Sequence, residues 1–156
     1  MGTYRLVSLK YNTMKIALII LVCFTSCATM KETNKISFVY YDGSKKQKII
    51  MNIPKGSKLI KITAGGEGEE HRYWYGDSSV IYLSSLRGSA TLNELLINRQ
   101  QDNYNKRFMS DTASFAGTDE KGNYWKEVKN RSLFYGYSNV PINKKIIFDE
   151  VITSTR

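Results

Sequence analysis

A short apolar run near the N-terminus decides how much of the chain is available to fold into a domain. Nine apolar residues, Ile16 to Phe24, follow Lys15 without interruption. As a helix they would rise only about 14 Å, roughly half the thickness of a bilayer core. A basic start followed by so short an apolar run is typical of a signal peptide rather than of a membrane span. We therefore expect the folded domain to lie entirely C-terminal to this run.

The residues that close the run resemble the lipobox of bacterial lipoprotein precursors. Phe24-Thr25-Ser26-Cys27 places two small residues before a cysteine. In that family this cysteine is diacylated and becomes the mature N-terminus, so the resemblance implies that Cys27 is lipidated, with palmitate as a marker of acylation. Phe24 in place of the usual leucine resembles the relaxed lipoboxes of Bacteroidota, and the location implied is the bacterial cell envelope, at the outer membrane. The alternatives are an ordinary secretory signal with a chance cysteine and a buried N-terminal strand.

The same resemblance divides the chain into three parts. Residues 1–26 form an upstream extension plus the signal peptide, and Met14 is the expected initiator. Residues 27–34 form a lipidated tether, and residues 35–156 form a single domain. Removing 26 of the 156 residues leaves 130, which is enough for one domain with a hydrophobic core. The removed part carries three basic residues and no acidic one, so the formal net charge falls from +9 to +6.

The mature chain must be stabilised by packing rather than by covalent cross-links. Once Cys27 is lipidated, neither a free thiol nor a disulfide remains. Sixteen aromatic residues follow position 26, and each can bury a large apolar area. The basic residues are scattered, with the densest cluster at Lys45-Lys46-Gln47-Lys48. A dispersed basic surface of this kind is typical of a solvated protein and can also attract anionic lipid head groups. A lipid-anchored protein of the envelope rarely meets nucleic acid, so we predict no nucleic-acid partner.

Short runs of β-forming residues, separated by turn residues, predict a β-rich domain. Residues 36–41 and 48–53 flank Asp42-Gly43 and predict a hairpin. Similar runs follow at 58–63, 70–75, 80–84, 112–117, 124–128 and 133–137. Together they predict an antiparallel sheet of six to eight strands, whose order the sequence does not reveal.

Two short helices complete the predicted α+β fold. Thr91 and Glu94 have the spacing of a capping box, and Leu92, Leu95 and Leu96 fall on one face of the helix that follows. The second helix is C-terminal and begins near Pro141. Its apolar stripe at helical spacing consists of Ile142, Ile146, Ile147 and Val151.

The densest polar segment, residues 65–71, contains the only histidine of the chain. On a strand, Glu69 and His71 share one face and Glu70 lies on the other. A carboxylate beside an imidazole can act as an acid–base pair, so a small envelope hydrolase that uses His71 with Glu69 or Glu70 is the alternative function. One histidine without cysteines supplies too few ligands for zinc, and no calcium-loop pattern occurs. We therefore expect no metal, no cofactor and no enzyme activity, because a solvated glycine-rich turn explains the same residues.

Aromatic residues beside this turn form the predicted binding site. Tyr73, Trp74 and Tyr75 alternate along a strand next to Arg72. Aromatic and arginine side chains dominate interaction hot spots. On a strand, one face of such a run more often belongs to the hydrophobic core. The sequence predicts a partner contact centred on residues 65–77.

Size and location favour a non-enzymatic binding or interaction module that is attached to a membrane by lipid and binds a protein partner in the envelope. Besides the hydrolase, a structural component of an envelope assembly is a further alternative. The domain carries no motif that identifies its ligand.

Overall fold

The computed structural model describes residues 32–66, 68–86, 92–99, 106–107 and 109–155. Met14, Cys27 and the tether as far as Lys31 lie outside these ranges, and so does Thr91 of the predicted capping box. The first described strand begins at Thr33, which lies inside the segment that the sequence assigned to the tether.

The described residues form eight strands, two α-helices and one 3-10 turn. The strands are β1 (Thr33–Asp42), β2 (Lys45–Pro54), β3 (Lys58–Thr63), β4 (Glu69–Trp74), β5 (Val80–Ser84), β6 (Thr112–Thr118), β7 (Tyr124–Asn130) and β8 (Leu133–Val140). The helices are α1 (Glu94–Asn98) and α2 (Lys145–Thr153), and the 3-10 turn at Ile142–Lys144 leads directly into α2.

The strands form two antiparallel sheets rather than the single sheet expected from the sequence. β1 and β2 pair only with each other, as a hairpin. The other six strands form a sheet in the order β3-β4-β5-β8-β7-β6. The β-rich, antiparallel character and the C-terminal helix are confirmed. The pairing of β5 with β8 joins strands that are about 50 residues apart in sequence, a non-local contact that the local patterns cannot encode.

The hairpin packs on one face of the six-stranded sheet, and the main hydrophobic core lies between them. Phe38 is paired with Ile49 across the hairpin, and its side chain is only 1% exposed. Alternation along both strands sends one set of side chains inward, as the pleat requires. The buried core residues are Phe38, Ile49, Met51 and Ile53 from the hairpin, Tyr73, Ile81, Leu83, Leu133, Tyr137 and Val140 from the sheet, and Phe148, Val151 and Ile152 from α2.

The helices bury only some of the residues that the sequence predicts: Val151 of the C-terminal stripe is buried, and Ile147 packs against the core. In α1, Ile97 is fully buried and Leu95 is exposed. At the C-terminus, Ile142 and Ile146 of the predicted apolar stripe are also exposed. Phe148 faces the core instead, where its ring meets that of Tyr137 edge to face with centroids 5.8 Å apart. The buried side of α2 consists of Phe148, Val151 and Ile152.

Asn93 attaches the start of α1 to the sheet. It precedes the helix but makes no side-chain capping bond. Its buried amide nitrogen instead donates to the hydroxyl of Tyr82 at 3.2 Å and to the backbone oxygens of Lys126 and Tyr137 at 3.2 and 3.0 Å. The capping-box interpretation is therefore wrong about the helix start, because α1 begins only at Glu94.

A buried ion pair lies on the same face of the sheet. Arg107 Nε donates to Glu127 Oε1 at 2.7 Å, and the hydroxyl of Tyr82 donates to Glu127 Oε2 at 2.6 Å. Arg107 Nη1 also donates to Glu94 Oε2 at 3.3 Å, so the cluster connects α1 to the sheet. Burial, reinforced by Glu127, raises the pKa of Tyr82 and keeps its hydroxyl protonated. The alternation of β7 in the sequence could have indicated that Glu127 is buried, because Glu127 lies on the same face of the strand as Trp125.

Phe38→Ala is expected to lower the free energy of unfolding by about 3–5 kcal/mol, because it leaves a cavity between the hairpin and the sheet. Urea titration measures the change. Tyr41→Ala, on a residue of the same strand that is 58% exposed, is the matched control. It should change stability by less than about 0.5 kcal/mol. Equal losses in both variants would mean that the packed face of the hairpin does not hold it on the sheet.

Candidate functional site

A cleft lies between the tip of the hairpin and the turn that joins β3 to β4, and we call it the hairpin cleft. Its volume is about 650 Å³. The hairpin and the sheet each supply one wall, and no single segment of the sequence forms it. The lining residues are Val39, Tyr40, Tyr41 and Lys46 from the hairpin, and Thr63, Gly65, Gly66, Gly68, Glu69 and Ser85 from the sheet.

Polar contacts to the β7–β8 turn hold the hairpin wall in place. Arg131 Nη1 donates to Asp42 Oδ2 at 3.1 Å, and Ser132 Oγ donates to the backbone oxygen of Tyr41, also at 3.1 Å. Burial and the nearby Asp42 raise the pKa of Tyr40, so its hydroxyl remains protonated. The side chains of Tyr41 and Lys46 stay exposed at the cleft.

The opposite wall depends on a glycine. Gly68 has a φ of +118°, a conformation that L side chains rarely adopt. A Cβ atom at this position would overlap the backbone oxygen of Ser85. The β3–β4 turn can therefore lie directly against the end of β5, which brings Glu69 and Ser85 to the same side of the cleft.

Glu69 and His71 meet beside the cleft, as their shared strand face predicts. His71 Nε2 lies 3.5 Å from Glu69 Oε1; the histidine side chain is 8% exposed and that of Glu69 is 35% exposed. Neither ring nitrogen of His71 has a hydrogen-bond partner. Phe38 packs against the imidazole edge to face, with ring centroids 4.9 Å apart. Burial lowers the pKa of His71 despite the opposing charge of Glu69, so the imidazole is neutral at pH 7.

A neutral imidazole beside a carboxylate has the composition of a general base, but a nucleophile must also be within its reach. Ser85 lines the same cleft, and its Oγ lies 3.3 Å from both the backbone nitrogen and the backbone oxygen of Glu69. It makes no hydrogen bond to His71, whose two nitrogens are both unpartnered. The hydroxyl of Ser85, the carboxylate of Glu69 and the imidazole of His71 thus lie in one region, but they do not form a hydrogen-bonded chain from nucleophile to base.

Glu70, the other carboxylate considered for an acid–base pair, lies on the opposite face of β4 from His71. It is fully buried and pairs with Arg72 Nε, while its Oε2 has no hydrogen-bond partner. The pleat explains this separation, because successive side chains of a strand point to opposite faces. Of the two pairs considered, only Glu69 and His71 are in contact.

The predicted aromatic segment is divided between two environments. Tyr73 is 6% exposed and belongs to the main core. The hydroxyl of Tyr75 donates to the backbone oxygen of Pro54 at 3.0 Å, at the far end of β4 from the hairpin cleft. Trp74 and Arg72 are half-buried on the other face of the sheet. The four residues do not form one surface, although Glu69 and the glycines of the predicted contact region do line the cleft.

No known protein family matches this sequence, and no curated protein or solved structure resembles it. Within the described ranges, no helix has the length and apolar character needed to cross a bilayer. The same residues include no group of three or more side chains arranged to hold a metal ion.

Stability should fall as the pH is lowered from 7 to 5. Burial lowers the pKa of His71 in the folded state. Below pH about 6.5, the imidazole therefore binds a proton more readily in the unfolded chain than in the folded protein. This contribution to stability is complete above that pH and is lost below it. The slope should not exceed about 1.4 kcal/mol per pH unit, the limit for one proton.

Urea titrations at several pH values measure this dependence, and His71→Gln and His71→Phe should both be flat between pH 5 and 7. His71 is the only histidine of the chain, so no other side chain with an ordinary pKa titrates in this window. A wild-type slope that survives in both variants would assign the effect to another group.

Proposed function

We propose that this protein is a lipid-anchored, non-enzymatic binding module of the bacterial cell envelope and that the hairpin cleft receives part of a protein partner. The observation that carries the proposal is the cleft itself, a recess of about 650 Å³ with exposed side chains from two independent parts of the fold. Concave sites that combine apolar surface with a few polar groups are the usual form of binding sites.

The position of the cleft agrees with anchoring through Cys27. β1 begins at Thr33, next to the tether, and ends at Asp42, beside the cleft. From Thr33 to Tyr41 the strand extends about 26 Å at roughly 3.3 Å per residue. A lipid on Cys27 would hold the N-terminal end of the strand near the membrane, and the cleft would open at the other end, where a partner can reach it.

The side chains of the cleft suit a protein partner. Tyr41 offers an exposed aromatic ring, and aromatic residues contribute strongly to interfaces. Lys46 and Glu69 supply one charge of each sign on opposite walls. A partner segment that places its own charges opposite these two would be fixed in one orientation. The predicted contact region, residues 65–77, contributes Gly65, Gly66, Gly68 and Glu69 to this surface.

Labelled palmitate should enter the wild-type protein and should not enter Cys27→Ser, because the thiol of Cys27 is the proposed acceptor. Cys23→Ser is the matched control and should label like the wild type. Labelling that persists in Cys27→Ser, or that disappears only in Cys23→Ser, would contradict lipidation at Cys27.

A photoreactive amino acid in place of Tyr41 should form a cross-link to one specific envelope protein in intact cells. The same amino acid in place of Leu95, an exposed residue of α1, is the control and should not yield that product. Glu69→Lys should abolish the Tyr41 product, because it places a cation where the partner meets a carboxylate, while the melting temperature stays unchanged. A product that survives Glu69→Lys, or that forms equally from Leu95, would contradict binding in the cleft.

The contact between Glu69 and His71 favours a small envelope hydrolase as the second candidate. This alternative requires that His71→Phe reduce the activity by roughly 10²- to 10⁴-fold while the fold is preserved. In the binding module, the same substitution leaves the Tyr41 cross-link intact. The remaining alternative, a structural component of an envelope assembly, would give cross-links from several faces of the domain rather than from the cleft alone.

A further inference from the structure

The start of α2 lies at the same end of the domain as the start of β1. Thr33, the first residue of β1, is paired with Pro54 at the end of β2. Pro54 accepts the hydroxyl of Tyr75, whose ring packs against Phe148 of α2 with centroids 5.5 Å apart. These contacts connect the start of β1 to the helix, on the side of the domain away from the hairpin cleft.

Two isoleucines at this end are unusually exposed. Ile142 and Ile146 are 67% and 73% exposed, and no isoleucine in the described part of the chain is more exposed than these two. They are four residues apart, with Ile142 in the 3-10 turn and Ile146 in the first turn of α2, so both are exposed where the turn leads into the helix. Packing does not require them there, because the core side of α2 is formed by other residues.

Two lysines lie between these isoleucines in the sequence, and each is paired with a carboxylate. Lys144 donates to Asp77 Oδ2, which ties the start of α2 to the β4–β5 turn, and Lys145 bonds to Asp149. Lys58, at the start of β3, is exposed at the same end of the sheet. Apolar side chains with lysines beside them are the combination that lies at the boundary between lipid head groups and acyl chains.

The length of the tether restricts what can meet this surface. Six Cα–Cα steps separate Cys27 from Thr33, a distance of at most about 20 Å when fully extended. A lipid on Cys27 would therefore keep this end of the domain close to the bilayer, where an exposed apolar pair finds an apolar environment.

We propose that Ile142 and Ile146 form a membrane contact that inserts into the head-group boundary of the bilayer holding the lipidated Cys27. This inference rests on the proposed lipid anchor. It adds a second attachment point, so the domain stands with β1 directed away from the membrane instead of turning freely about its tether. The hairpin cleft then faces away from the lipid surface.

A photoreactive amino acid at position 146 tests the contact in membranes that contain the full-length, processed protein. Cross-linking at 146 should yield adducts with phospholipid, detected by mass spectrometry, and the same amino acid in place of Ile142 should behave alike. The amino acid in place of Tyr41 is the matched control, since that residue is also exposed but lies at the opposite end of β1. It should give no phospholipid adduct.

Adducts with a protein instead of lipid at 142 and 146, or equal lipid adducts at 41 and 146, would overturn the proposal. Palmitate labelling of the same samples separates the two levels of inference. When Cys27 is labelled and 146 gives no lipid adduct, the membrane contact is wrong and the anchor stands. When Cys27 is not labelled, the anchor itself fails. The protein cross-link from Tyr41 reports on the cleft independently of both results.

Discussion

The packing of the hairpin on the six-stranded sheet is the interaction on which the rest of the structure depends. β1 and β2 have no strand neighbour in the six-stranded sheet. Side-chain burial, with a few polar contacts at the two ends of the hairpin, holds them there. Phe38 is central to this contact, because it is buried and also packs on His71. The hairpin simultaneously closes the main core, covers the imidazole and forms one wall of the cleft. A loss of this packing would remove all three features together.

Local sequence patterns predicted most of the strands because each strand needs only β-forming residues and alternation over a few positions. They could not predict the division into two sheets, which depends on contacts between distant residues. β8 pairs with β5 across the α1 segment, and nothing in either strand specifies that choice. Both helices were predicted, but their buried faces were predicted only in part, for a related reason. Ile146 and Phe148 are both apolar, and only the position of the sheet decides which of them is buried.

The candidate site shows the same limit. The two-residue period of a strand was sufficient to place Glu69 and His71 on one face, and they are in contact. The same period places Tyr73 on the face of Glu69 and His71. The hairpin covers that face, and the sequence does not reveal where the hairpin packs, so it could not assign the ring of Tyr73 to the core. Tyr41 and Lys46 become neighbours of Glu69 only after the hairpin has docked. A site built from separate segments has no linear motif to find.

Two kinds of burial distinguish the faces of the six-stranded sheet, and they suggest different roles. The hairpin face is mainly apolar and can be formed by non-directional packing. The other face contains Arg107, Glu127, Tyr82 and Asn93, whose hydrogen bonds require one arrangement of the α1 segment. Buried polar groups tolerate little displacement, because an unpaired charge is costly. The α1 face is therefore suited to a fixed structural role. The hairpin face carries the cleft at its tip, where the contacts of Asp42 with Arg131 and of Tyr41 with Ser132 keep one wall in a defined position for a partner.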